Sequence, residues 1–144
     1  MNLTQVLKTL IVCILVIALV LVSASAYRQH RAFAELAALS DATSAIVVHL
    51  TADELAYVDS LGNRLNYVID PTKFEDLDFT LEVGGQSLSF QVQVQDLREN
   101  GYSLGPLGPA PPNDRATCSL AVACSLRLSG RNLPAKLSVV AWYA

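Results

Sequence analysis

The sequence predicts an α+β protein, in which a long N-terminal helix packs against a small antiparallel β-sheet. Three observations carry that expectation. An uncharged apolar run lies near the front, an Ala- and Leu-rich amphipathic stretch continues it without a helix breaker, and apolar and polar residues then alternate between Gly- and Pro-bearing turns. A chain of 144 residues suits a single modest domain beside the apolar run.

From Thr9 to Ala26 the chain reads TLIVCILVIALVLVSASA and carries no charge. Eighteen helical residues at ~1.5 Å each reach about 27 Å, close to the thickness of a hydrocarbon core. The run accounts for much of a composition that is 52 % hydrophobic and only 16 % charged. Three readings are open at this point: a retained transmembrane helix, a cleaved secretory signal, and a buried core helix. Lys8 and the small-x-small triplet Ala24-Ser25-Ala26 fit a signal peptide. Against this, the apolar run is long for a signal core, and no Pro or Gly interrupts the sequence between Val20 and Leu61. A soluble core rarely hides so continuous an apolar stretch.

The continuation, YRQHRAFAELAALSDATSAIVVHL, places Phe33, Leu36, Ala37, Ser40, Ser44, Val47 and Val48 on one helical stripe, with Arg31, Glu35, His49 and Asp53 opposite. Phe33, Leu36, Ala37, Val47 and Val48 are the residues expected to pack on the sheet. The predicted organisation is therefore residues 1–26 as a transmembrane segment, 27–52 as an amphipathic stalk helix continuing from it, and 53–144 as a β-rich extracytoplasmic domain. Lys8 precedes the apolar run while Arg28 and Arg31 follow it, a balance that by itself favours the reverse orientation. The short preceding tail, the loop-rich β pattern and two closely spaced cysteines argue instead for export of the domain.

Thr51-Ala52-Asp53-Glu54 has capping-box spacing, which allows the helix to end near Leu50 and restart at Asp53. A hairpin of Leu55–Val58 with Leu65–Ile69 around Gly62-Asn63 is the alternative, and Asp70-Pro71 ends whatever precedes it. The clearest β signal comes next. Phe79, Leu81 and Val83 alternate with polar residues, as do Leu88, Phe90, Val92 and Val94, and Gly84-Gly85 lies between the two runs. A two-residue turn sets Leu81 opposite Leu88 and Phe79 opposite Phe90 on one face. Residues 101–114 hold four prolines and three glycines, and are expected to form an exposed loop without a ladder, with Tyr102, Leu104 and Leu107 as a candidate interaction surface. A second hairpin follows, with Leu120 to Leu128 in the first strand, a turn at Gly130-Arg131-Asn132, and a final strand that is apolar on both faces and therefore internal to the sheet.

The chemistry-bearing residues are few. Cys118 and Cys124 are a candidate disulfide, which requires a turn or bulge among Ser119 to Ala123, because six residues of straight strand separate Cα atoms by about 20 Å. Cys13 lies in the apolar run as a small filler. His30 and His49 lie on the proposed helix and give no zinc spacing, so no metal site is expected. GxSxG, P-loop, GxGxxG and HExxH motifs are absent, and Asp53-Glu54, Asp59 and Glu75-Asp76-Asp78 read as turn, cap and solvated carboxylates. No catalytic or cofactor-binding residue, no cofactor and no small-molecule substrate is identified. With a formal net charge of −3 and basic residues scattered singly, nucleic acid is not an expected partner.

The apolar N-terminal helix, its unbroken amphipathic extension, the passage Asp59-Ser60-Leu61-Gly62-Asn63 and the closing strand Ala135 to Tyr143 together resemble type IV pilin-like proteins, most of all the archaeal ones. The likeness is architectural and covers the whole length. It implies a pilin-like fold and a non-catalytic structural role as a minor or accessory subunit of a cell-surface filament or its membrane machinery. The implied partners are membrane lipid and other pilin-like subunits, or self-association through the N-terminal helix, where Ala18, Ser23, Ala24, Ser25 and Ala26 would allow close approach. MNLTQVLK departs from the family's basic leader ending in a small residue, and the acidic residue usual near the start of bacterial pilin helices is missing. Both departures favour a membrane-retained subunit over a major filament protein. The rival reading is a secreted β-rich binding module released after Ala26.

Overall fold

The computed structural model describes residues 2–98 and 101–144. The protein is α+β, and the chain divides into two compact units, Met1–Ala37 and Ala38–Ala144. Helix α1 runs unbroken over Leu3–His49, starting earlier than the apolar run itself. In the first unit the helix has the side-chain supports of an exposed helix. The Thr9 hydroxyl donates to the Gln5 carbonyl at 2.9 Å, and Arg31 Nε donates to Glu35 Oε1 at 3.2 Å one turn on.

In the second unit the last turns of α1 pack on a mixed seven-stranded sheet: β1 Ala56–Val58, β2 Arg64–Ile69, β3 Thr80–Val83, β4 Gln86–Asp96, β5 Ser103–Leu107, β6 Cys118–Leu128 and β7 Arg131–Tyr143. The order across the sheet is β1-β2-β6-β7-β4-β3, and β5 joins the same edge of β4 beyond β3. All pairs are antiparallel except β2 with β6. The expected internal position of the last strand is found, since β7 is flanked by β6 and β4. Its residues Ala135, Leu137, Val139 and Ala141 are almost fully buried, together with Leu88, Phe90, Val92 and Val94 of β4. These alternate positions form one wall of the core, and Leu39, Ile46, Val47 and Leu50 of the helix form the other.

The Gly84-Gly85 hairpin forms in the expected register, with Leu81 opposite Leu88, Thr80 opposite Ser89 and Glu82 opposite Ser87. Both glycines have positive φ, +60° and +78°, as a two-residue turn of this hand requires. One step outside the strand, Phe90 N donates to the Phe79 carbonyl at 3.0 Å, and the two rings meet edge to face at 5.9 Å. Of the two readings of residues 55–69, the hairpin is the one adopted. Asp59 shapes its turn by accepting from Leu61 N and Asn63 N, and these hydrogen bonds, that from Asn63 foremost, hold its carboxyl below the usual carboxylate range. Asp70 then accepts from Thr72 N and caps a 3-10 turn over Pro71–Asp76.

Three local expectations are corrected. The helix does not restart at Asp53. Residues Leu50–Glu54 continue it as a π-helical turn closed by Leu55 N donating to the Leu50 carbonyl, and the Thr51 hydroxyl donates back to the Val47 carbonyl rather than capping forward. Part of the Pro- and Gly-rich segment is a strand after all. β5 pairs with β4 at Val92–Leu107, Val94–Leu104 and Gln95–Ser103, with a register shift between Val92 and Val94 that accommodates Pro106 on a sheet edge. Last, the β6–β7 turn is Ser129-Gly130, both at positive φ, so β7 already begins at Arg131.

Candidate functional site

The feature with the plainest physical demand is the exposed apolar face of α1. Every residue from Asn2 to Ala38 is exposed. Each Leu, Ile and Val between Leu10 and Val22 presents a large part of its surface, from 48 % at Ile11 to 67 % at Leu19 and Val22. A side chain of this kind left in water forgoes about 1.5–3 kcal/mol relative to burial. The segment is long and apolar enough to cross a membrane.

The helix surface that packs on the sheet differs from the expected stripe. The buried residues are Leu39, Ala42, Thr43, Ile46, Val47 and Leu50, an i, i+3, i+4, i+7 ladder. Val47 belongs to both sets. Val48 is corrected to an outward position at 57 % exposed, while Phe33, Leu36 and Ala37 lie in the first unit and are exposed. The predicted stripe is rotated by one residue, about 100° around the axis. Two positions hid this. Thr43 and Thr51 are polar in the sequence yet fully buried, because each hydroxyl donates to the carbonyl four residues earlier, at 2.7 and 2.8 Å.

The candidate disulfide is corrected as well. Cys118 and Cys124 both lie in β6, opposite Ala141 and Ala135 in an unbroken ladder with β7, and no turn or bulge brings them together. All three cysteines are free thiols. Burial pushes the Cys124 thiol up to about 11, so it is mostly protonated near neutrality. Of the candidate interaction residues, Tyr102 is 43 % exposed, while Leu104 and Leu107 are half-buried and pack against the core as part of β5. Exposed apolar side chains occur instead on the β1–β2 hairpin, at Val58, Leu61, Leu65 and Tyr67.

Several carboxylates have polar partners. Asp53 takes a 2.6 Å hydrogen bond from Arg64 and faces His49 at 3.6 Å, while Glu54 stands 3.3 Å from the other imidazole nitrogen. No group of three or more His, Cys, Asp or Glu is placed to hold a metal among the described residues. Sequence reasoning missed Asp96. Its side chain is wholly buried at the end of β4 and is clasped by Arg98, whose hydrogen bonds hold the carboxyl below its usual range and raise the guanidinium in turn. Only the i, i+2 charge pair after an alternating strand hinted at it.

A shallow depression of about 300 Å³ lies between β2 and β6, lined by Asn66, Tyr67, Val68, Ala123, Cys124 and Ser125. Tyr67 sits there at φ +62°, a left-handed conformation that is uncommon for an aromatic residue. Comparison with protein-family models, curated proteins and solved structures finds no match to this chain.

Proposed function

We propose that the protein is a membrane-anchored, pilin-like structural subunit, minor or accessory, of a cell-surface filament or its membrane machinery. The observation that carries this reading is the wholly exposed, uncharged apolar run within a helix whose later turns enter the core of the β domain. Lipid, or the apolar helices of neighbouring subunits, would cover that run. On this reading its role is non-catalytic, which the use of Asp59 and Asp70 in turn and cap, and of Asp53 in an ion pair with Arg64, supports.

The test is fractionation of cells expressing the full chain, followed by N-terminal sequencing of the mature protein and protease treatment of intact cells. Recovery in membranes with the apolar run retained, and loss of the β domain to external protease, supports the proposal. A soluble protein beginning at Tyr27 replaces it with the secreted module. Imaging of purified surface filaments for this chain then decides between a filament subunit and a component of the membrane machinery.

A further inference from the structure

β6 has a strand partner along its whole length on one side only. On the β7 side every residue from Cys118 to Leu128 is paired, but on the other side, among the described residues, pairing is limited to Ser125 and Leu126 with β2. The stretch Cys118-Ser119-Leu120-Ala121-Val122-Ala123-Cys124 is therefore an open sheet edge. Natural edges are usually guarded by a charge, a proline or a bulge. This one has none of the three, since no charged residue or proline lies between Ala116 and Leu126 and the ladder is regular. Arg115 and Arg127 flank it, yet Arg115 donates to the Tyr143 carbonyl and Arg127 lies 5.0 Å over the Tyr57 ring.

The edge is also nearly the same read in either direction. About Ala121 the order is Val or Leu, then Ala or Ser, then Cys. In an antiparallel pairing of two copies centred there, Ala121 meets itself, Leu120 meets Val122 and Ser119 meets Ala123. Cys118 of one copy then faces Cys124 of the other, twice. Leu120, Val122 and both cysteines lie on the core-facing side and are only half-buried in the single chain, so a second strand would extend the apolar wall across them. Its end would enter the 300 Å³ depression between Ala123 and Cys124 on one side and Asn66, Tyr67 and Val68 on the other.

We infer that the open edge of β6 pairs antiparallel with β6 of a second copy of this chain, about a two-fold axis at Ala121. The pairing adds backbone hydrogen bonds by strand addition and joins the two sheets into one. It lies wholly within residues 38–144 and does not depend on what covers the apolar helix.

The experiment is diamide oxidation of the full chain in detergent micelles at alkaline pH, where the Cys124 thiol begins to ionise, in a Cys13→Ser background. Opposed residues of an antiparallel pair have Cα atoms about 4.5–5.5 Å apart, inside the range for a disulfide. Each bridge formed releases two protons and passes two electrons to diamide. A dimer reversible by reductant is expected, lost in Cys118→Ser and in Cys124→Ser alone, and regained when those two variants are mixed before oxidation. Ala121→Lys, at an exposed position on the axis, should abolish it while leaving the unfolding midpoint of the monomer unchanged. Absence of a reversible dimer overturns the inference, as does a dimer that persists in either single cysteine variant.

Discussion

The buried carboxylate of Asp96 is gripped by the guanidinium of Arg98, two residues along the chain, with Nη2 at 2.7 Å and Nε at 3.0 Å from the same oxygen. The Arg98 amide adds a further hydrogen bond to the other oxygen at 3.0 Å, and Gly101 packs so closely that a Cβ there would lie 2.7 Å from the Asp96 Cβ. The charge pair thus fixes the chain at the end of β4. Because the folded carboxyl is held below its unfolded value, its stabilisation is present above the unfolded pKa and is lost as pH falls through the folded one. Unfolding midpoints of the detergent-solubilised chain should therefore decline more steeply on acidification in the parent than in Asp96→Asn. Parallel declines would remove the linkage.

The one-residue rotation of the helix surface makes two neighbouring positions unequal. Ile46→Ala empties a fully buried site and should cost about 2–5 kcal/mol, whereas Val48→Ala should stay within about 0.5 kcal/mol. Denaturant unfolding followed through the fluorescence of Trp142, which is itself buried, measures both. Equal losses would restore the stripe read from the sequence.

Gly85 stands at φ +78° with open space where a Cβ would go, so the penalty for a side chain there is conformational rather than steric. Gly85→Val should destabilise by roughly 1–2 kcal/mol, since a β-branched residue resists the left-handed region. Unfolding curves report the change directly, and an unaltered midpoint would mean the turn has relaxed to another type.

Cys124 offers a chemical check on its burial. With its thiol pushed up to about 11, alkylation of Cys124 in a Cys13→Ser, Cys118→Ser background should be slow at pH 8 and climb steeply through pH 10 to 11. A rate matching that of an unfolded control at pH 8 would place the thiol in water.

Anchoring makes its own demand on the apolar run. Leu15→Arg puts a charge near its middle, at a cost of about 2.5–3.5 kcal/mol for insertion, and should shift the chain out of the membrane fraction without altering the β domain. Unchanged membrane recovery would count against that segment as the anchor.

How much was legible depended on whether the signal was local. The Gly84-Gly85 hairpin could be placed to the residue because alternation, turn chemistry and cross-strand partners agree within a short span. The helix was legible in its extent but not in its rotation, since Val47 and Val48 are both apolar and the buried threonines satisfy themselves on their own backbone. β5 was hidden by Gly105 and Pro106, and only contact with distant Val92 and Val94 makes it a strand. The straightness of β6, which separates its cysteines, follows from the long ladder with β7 and has no local marker.

β7 lies between β6 and β4 and follows both in the chain. Until its thirteen residues have been laid down, β1-β2-β6 on one side and β3-β4-β5 on the other share no lateral hydrogen bonds, and neither half can close the core. A polypeptide threaded from its N-terminus through a narrow channel would therefore emerge pliable for nearly its whole passage. It would lock into shape only once the closing segment had cleared the exit.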